Sequence, residues 1–217
     1  MYARNSVTIT AMRRTKEDAL LTKEKLLDTA ELLFADQGVS QTSLQKIAQA
    51  AGVTRGAIYW HFKDKAALFN AMMERTTLPI EETIHRVGTD RSDTPLDQVR
   101  ASVLDALNRI VTEPHTRRVF DIALHKVEYI EELSDVRARR LSVHLGCRAH
   151  IESALKHAQS LGQLAPQPSA RVMTVGLLAL IDGLINTWML DQDLFHLTHT
   201  GAQTIDLYLN GLKTGLT

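Results

Sequence analysis

The stretch "TSLQKIAQAAGVTRGAIYWHF", residues 42–62, holds two short apolar stripes at helical spacing with a glycine between them. Leu44, Ile47 and Ala48 recur at intervals of three and four, and Ser43 stands before them as an N-cap. Ile58 and Phe62 form the second stripe, which Thr54 can cap. A helix-turn-helix needs a small residue where its two helices cross closely. It then needs a glycine four positions on for the turn, and a branched apolar residue six beyond that. Ala48, Gly52 and Ile58 meet those offsets.

Charge points the same way. No Asp or Glu occurs from Gln37 to Lys63, although the chain has 25 acids in 217 residues and about three are expected in such a window. At about 100° per residue, burying Ile58 and Phe62 turns Gly56, Tyr59, Trp60 and Lys63 outward, with Thr54 and Arg55 on the exposed first turn. A helix that reads DNA wants side chains for base edges at its N-terminus, the positive end of its dipole there, and no acid. Gly56 leaves no side chain to hold the backbone away from a groove. Tyr59, His61 and Lys63 can reach phosphates, as can the amides and hydroxyls near Thr42 and Ser43. Trp60 also suits packing beneath the following helix, and His61 a structural hydrogen bond.

Helical periodicity continues on both sides, and strand alternation is nearly absent. Leu26, Ala30, Leu33 and Phe34 line a first helix that Gly38 closes. Asp64 can cap a longer helix through Leu68, Phe69 and Met72, with a kink expected at Pro79. "GTDRSDTP" (88–95) and "GQLAPQPS" (162–169) read as linkers. Between and after them, helices are expected at 96–112, 115–129, 132–161, 169–190 and 200–212. The fold class is therefore all-α: a three-helix head with the helix-turn-helix, and a larger C-terminal helical body, about nine helices in total. The divisions expected are a flexible extension at 1–12, a DNA-binding domain at 13–64, and a larger helical body at 65–217, to which the resemblance described below assigns ligand binding and dimerisation.

Composition bounds the rest. The formal net charge is zero, but residues 1–75 carry 11 Lys and Arg against 8 acids, leaving the remainder net negative. The single cysteine, Cys147, excludes an internal disulfide framework and fits a reducing cytoplasm. The opening "MYARNSVTITA" has no apolar signal-peptide core. "VMTVGLLALIDGLINTWML" (172–190) is long enough to span a bilayer, but Asp182 and Asn186 at its middle argue for a buried or interface helix and no membrane. No phosphate-binding glycine loop, nucleophile elbow or histidine–carboxylate set marks an enzyme. His196 and His199 with Asp193 make no convincing metal site, and no cofactor is expected. Only Arg148 adjoins Cys147 as a basic neighbour, too little for a redox sensor.

"LLDTAELLFADQGVSQ" (26–41) followed by "TSLQKIAQAAGVTRGAIYWHFKDKAALF" (42–69) closely resembles the DNA-binding head of the TetR family of bacterial repressors. The resemblance covers roughly residues 13–72 without gaps. It implies base contacts by Thr54 and Arg55 and backbone contacts by Tyr59, His61 and Lys65. The order "RRTKEDA…TRGAIYWHFKDK" looks most like the AcrR/TtgR branch, which represses multidrug efflux operons. "TRRVFDIALHKVEY" (116–129) and "IDGLINTW" (181–188) resemble that branch more weakly.

The resemblance implies a homodimer joined through the two C-terminal helices, with a four-helix bundle at the interface. It also places a ligand pocket between the long helices of the body, lined by Val99, Val103, Ala106, Phe120, Leu124, Cys147, Ile151, Leu178, Ile181 and Ile185. Phe120 stands where relatives of this branch can carry a polar side chain. Asp182 sits among Leu180, Ile181, Gly183 and Leu184, so its carboxylate is expected to be paired, neutralised or solvated in a cavity. It reads either as the polar anchor of that pocket or as a helix–helix hydrogen bond to Asn186 or an arginine. The function expected is repression of an efflux operon through a palindromic operator of double-stranded DNA, relieved by a hydrophobic inducer. The alternative is a DNA-binding regulator of the same fold with no small-molecule input.

Overall fold

Three oxygen-bearing side chains start the second, third and fourth helices. Ser43 Oγ accepts from the Lys46 amide at 3.2 Å, Thr54 Oγ1 from that of Ala57 at 3.2 Å, and Asp64 Oδ1 from that of Ala67 at 2.7 Å. Each satisfies a donor that the first helical turn leaves unpaired. Gly38 (φ 81°) and Gly52 (φ 64°) take the left-handed conformation that lets the first two helices end in tight turns.

The structure is a computed structural model describing residues 4–128 and 131–214, with side chains from Lys16 onward except that of residue 132 and the last described residue. Nine α-helices and no strand occur among the described residues. They are α1 (Arg4–Gln37), α2 (Leu44–Ala50), α3 (Arg55–His61), α4 (Lys65–Thr89), α5 (Pro95–Thr112), α6 (Pro114–His125), α7 (Ser134–Ser160), α8 (Ala170–Leu190) and α9 (Leu197–Thr214). A 3-10 turn, Glu131–Leu133, leads into α7.

One expectation needs correction. The backbone of residues 4–12, expected as a flexible extension, continues α1 as helix, and residues 1–3 lie outside the described part. Pro79 lies inside α4, as the sequence places it, and the Thr83 hydroxyl donates to the Pro79 carbonyl at 2.9 Å.

Two apolar cores follow. The head's core gathers Leu26, Ala30 and Phe34 of α1, Ile47 of α2, Ile58 of α3, and Leu68, Phe69 and Met72 of α4. Val119 and Ile122 of α6 are buried in it too, so it extends beyond residue 64 into the body's sequence. Burying each of these large side chains is worth about 1.5–3 kcal/mol, which fixes α3 with its Ile58 edge inward. The body's core lies among α5, α7, α8 and α9, with the end of α4 against it. Among the described residues α8 is the one helix long and apolar enough to cross a membrane, but Met173, Leu177, Ile181, Ile185 and Trp188 bury one of its faces in that core.

Candidate nucleic-acid interface

Docking by Ile58 and Phe62 leaves Thr54, Arg55, Gly56, Tyr59 and Trp60 exposed on one side of α3. No acid stands in its first turn, where the positive end of the helix dipole lies. The Arg55 guanidinium stacks over the Tyr59 ring, 5.5 Å from its centre. Trp60 is 73% exposed, so it does not pack beneath α4. Its ring meets that of His61 edge-on at 4.6 Å. Burial, and then the Lys23 ammonium, push the His61 imidazole below its usual pKa. It is therefore neutral near pH 7 and offers a hydrogen bond rather than a charge.

Ser43 is exposed, with its oxygen accepting from the Lys46 amide. Lys63 is exposed, in long, solvent-screened ion pairs 3.6 Å from Asp64 and from Asp135. Two nominated phosphate contacts fail on burial. Thr42 is fully buried, its hydroxyl donating to the Gly38 carbonyl at 2.8 Å. Lys65 is only 6% exposed, with its ammonium on the Ser40 carbonyl at 3.1 Å. Both side chains serve the loop between α1 and α2.

Sequence reasoning missed three basic groups that the fold brings to this side. Lys46 is exposed on α2. The Lys25 ammonium lies close to Gly52, 3.9 Å from where a β-carbon would stand, so α1 carries a charge to the turn between α2 and α3. Lys23 stands near enough to lower the His61 pKa. Nothing in the spacing along α1 reveals that its lysines end beside α3.

In the body, Val99, Val103, Ile151, Ile181 and Ile185 are buried together in one core, with Phe120, Leu124, Cys147 and Leu178 packed against it. Ala106 is half-buried on α5. This set converges, but as packed interior. An open groove of about 610 Å³ lies between α4 and α7, and of the expected lining residues Cys147 alone borders it. Glu81, His85, Arg139 and His150 line it as well. Asp182 does not reach this groove. It is exposed on α8, so it is not the anchor of a buried pocket. Partial desolvation raises its carboxyl pKa, opposed by His144 and Arg140 of α7. No group of three or more His, Cys, Asp or Glu is placed to hold a metal ion among the described residues.

A two-helix reader with a bare, basic recognition surface, backed by an all-helical body, matches known proteins along nearly its whole length. Residues 26–72 fit the family of bacterial regulatory proteins described as tetR, and residues 94–214 fit the C-terminal region of MAATS-type transcriptional repressors. The chain belongs to the TetR family. It is similar to the HTH-type transcriptional regulator TtgR of Pseudomonas putida, at 35% identity over 93% of this chain and 96% of that one. Among solved structures it resembles NalD, the secondary repressor of the MexAB-OprM multidrug efflux pump in Pseudomonas aeruginosa. That match has a TM-score of 0.81 and 36% identity, covering 90% of this chain and 98% of NalD. It also resembles SmeT, repressor of the Stenotrophomonas maltophilia efflux pump SmeDEF, in complex with triclosan. There the TM-score is 0.81 with 30% identity, over 88% and 90% of the two chains. Within the TetR family the chain falls in the AcrR/TtgR branch, as its head motif suggests.

Proposed function

We propose that this chain is a homodimeric, cytoplasmic repressor of a multidrug efflux operon, released from a palindromic operator by hydrophobic compounds. The observation that carries the reading is the α3 surface: Arg55 and Tyr59 exposed on an acid-free helix whose opposite edge is locked in the head's core. Thr54 and Arg55 read base edges, the backbone at Gly56 approaches the groove, and Ser43, Tyr59, His61 and Lys63 hold phosphates. Lys23, Lys25 and Lys46 add charge around them. A head this small reads few bases, so two must act together, with α3 of each protomer in successive major grooves about 34 Å apart.

The dimer forms through α8 and α9. Val172, Val175 and Leu190 of α8 and Leu207 of α9 are more than half exposed on the single chain, a stripe suited to a symmetric four-helix contact. The inducer enters the body between α4 and α7 and from there reaches the core, where Phe120 and Leu124 must move to admit it. A compound that binds better to a displaced α4 shifts the population to a head spacing the operator does not fit. A coupling of about 3 kcal/mol weakens operator binding roughly a hundredfold.

The experiment is selection of duplexes from a random pool by the full chain, followed by anisotropy titration with and without triclosan and a panel of hydrophobic drugs. Enrichment of a palindrome and its release by one of these compounds support the reading. Because the nominated lining residues are packed core, a regulator without small-molecule input is the second reading. Palindrome binding that no compound disturbs, with no thermal shift, selects it.

A further inference from the structure

Helix α6 is shared between the two halves of the molecule. Val119 and Ile122 are fully buried in the head's core, whereas Phe120 and Leu124 pack against that of the body. The first two turns of α6 also bring two basic side chains to one carboxylate. Glu31 of α1, with 3% of its side chain exposed, accepts from Arg118 Nη1 on Oε1 at 2.7 Å, while His115 Nδ1 meets its Oε2. Arg75 of α4 adds Nη2 at 3.5 Å from the same Oε2, and its Nη1 lies 2.8 Å from both Glu24 and Asp28 of α1. His115 Nε2 also lies 3.0 Å from Thr76 Oγ1 on α4.

A lone carboxylate buried to this depth is costly, and it is offset here only while its partners on α4 and α6 hold their distances. Charge-assisted bonds are directional, which apolar packing is not. Val119 and Ile122 hold α6 against the head's core without directional bonds, whereas the cluster at Glu31 ties α1, α4 and α6 together through directional ones. It also lies on the route from the core. Phe120 and Leu124 share a 12-residue helix with His115 and Arg118, so a displacement at the first pair changes distances at the second.

We propose that Glu31 is a positioning residue for operator recognition. Its contacts with Arg75, His115 and Arg118 fix the angle of the head on the body, and thereby the separation of the two α3 helices in the dimer. The inference rests on the operator-binding reading above and assigns the residues through which the head's pose is held.

The test compares the full chain with Glu31→Gln, a near-isosteric change that removes the charge. The duplexes are the site selected by the wild-type chain, the same half-sites with one or two base pairs inserted at the centre, and a scrambled control. Wild type loses about tenfold or more in affinity on insertion, because half-site spacing is geometric. Glu31→Gln binds the selected site about tenfold more weakly, binds the inserted sites nearly as well as the selected one, and keeps its scrambled-duplex affinity. Glu31→Asp, which keeps the charge, recovers part of the spacing preference. An unaltered spacing preference overturns the proposal. So does an equal loss on selected and scrambled duplexes, which means that the residue supports DNA binding in general and not the spacing of the heads. If the wild-type chain selects no site, the operator-binding reading fails, and amide exchange still decides the contact. Exchange over residues 30–34 and 115–119 rises in Glu31→Gln if the cluster pins the head, and equal exchange in the two chains rejects it.

Discussion

The Arg55 guanidinium carbon lies 5.5 Å from the centre of the Tyr59 ring, one turn along α3. The stack holds an exposed cation over the face that carries no acid, already extended away from the head's core. Arg55→Ala is therefore expected to remove about 1–3 kcal/mol of discrimination at the base it reads. Tyr59→Ala releases the guanidinium and weakens binding without changing which base is preferred. Both are measured as affinities for the selected site and its single-base variants; an unchanged base preference in Arg55→Ala rejects its reading role.

Two lysines separated by one residue behave oppositely. Lys63 is open to solvent, whereas Lys65 is buried with its ammonium on the Ser40 carbonyl. Lys63→Ala is expected to lower the slope of log affinity against log salt by about 1, as loss of one phosphate contact does. Lys65→Met leaves that slope unchanged and costs about 1–3 kcal/mol of stability in urea unfolding, because a buried carbonyl loses its donor. A salt slope altered by Lys65→Met returns that residue to the interface.

The head was legible because its determinants are local. Capping oxygens at Ser43, Thr54 and Asp64, glycines at positive φ, and the Ile58–Phe62 stripe act within one or two turns, and all fall where the sequence places them. Thr42 and Lys65 misled because their residue types suit phosphate contact equally well. Only the packing of the loop after α1 turns them inward. Glu31 gave no signal at all. It sits between Ala30 and Leu32 as one more acid on a helix, and its partners lie 44, 84 and 87 positions away. Asp182 failed for the reverse reason, since apolar neighbours along a helix do not tell which face is buried.

The groove thiol is chemically quiet. Burial, and then the nearby Glu81 carboxylate, push the Cys147 pKa up to about 11. At pH 7.5 about three in ten thousand thiols are ionised, against roughly a tenth for an ordinary cysteine. Alkylation by iodoacetamide is expected to be slow in the native chain, to accelerate as pH climbs towards 11, and to be fast in urea. Equal native and denatured rates at pH 7.5 contradict this.

Gly88 lets α4 and α7 touch. A β-carbon built there meets His150 Cα and Cβ at 2.6 Å, and the Gly88 carbonyl accepts from Ser153 Oγ at 2.9 Å. Alanine gains about 1 kcal/mol in helix propensity, but backbone at that distance cannot give way without parting the helices, at about 1–3 kcal/mol. The larger effect wins, so Gly88→Ala lowers stability by up to about 2 kcal/mol, read as a reduced urea midpoint at unchanged slope. A higher midpoint means that α4 and α7 are not in contact there.

Asp182 makes the proposed dimer pH-sensitive. It is exposed on the single chain, yet partial desolvation beside α7 already raises its pKa above the ordinary aspartate value. A raised acid binds its proton more tightly when folded than when unfolded. The favourable contribution is thus present below about pH 4, the unfolded value, and is lost as pH rises through the folded one. At neutral pH the ionised group opposes folding, and it opposes dimerisation further, because pairing α8 with its symmetry mate removes more water from the carboxyl. Wild type is expected to dimerise more tightly near pH 4, about the ordinary aspartate value, than at pH 7.5 in sedimentation velocity. Asp182→Asn, neutral at both, is expected to match the tighter state at pH 7.5 and to lose the dependence. A weaker Asp182→Asn dimer at pH 7.5 shows that the ionised carboxylate is itself a contact across the interface.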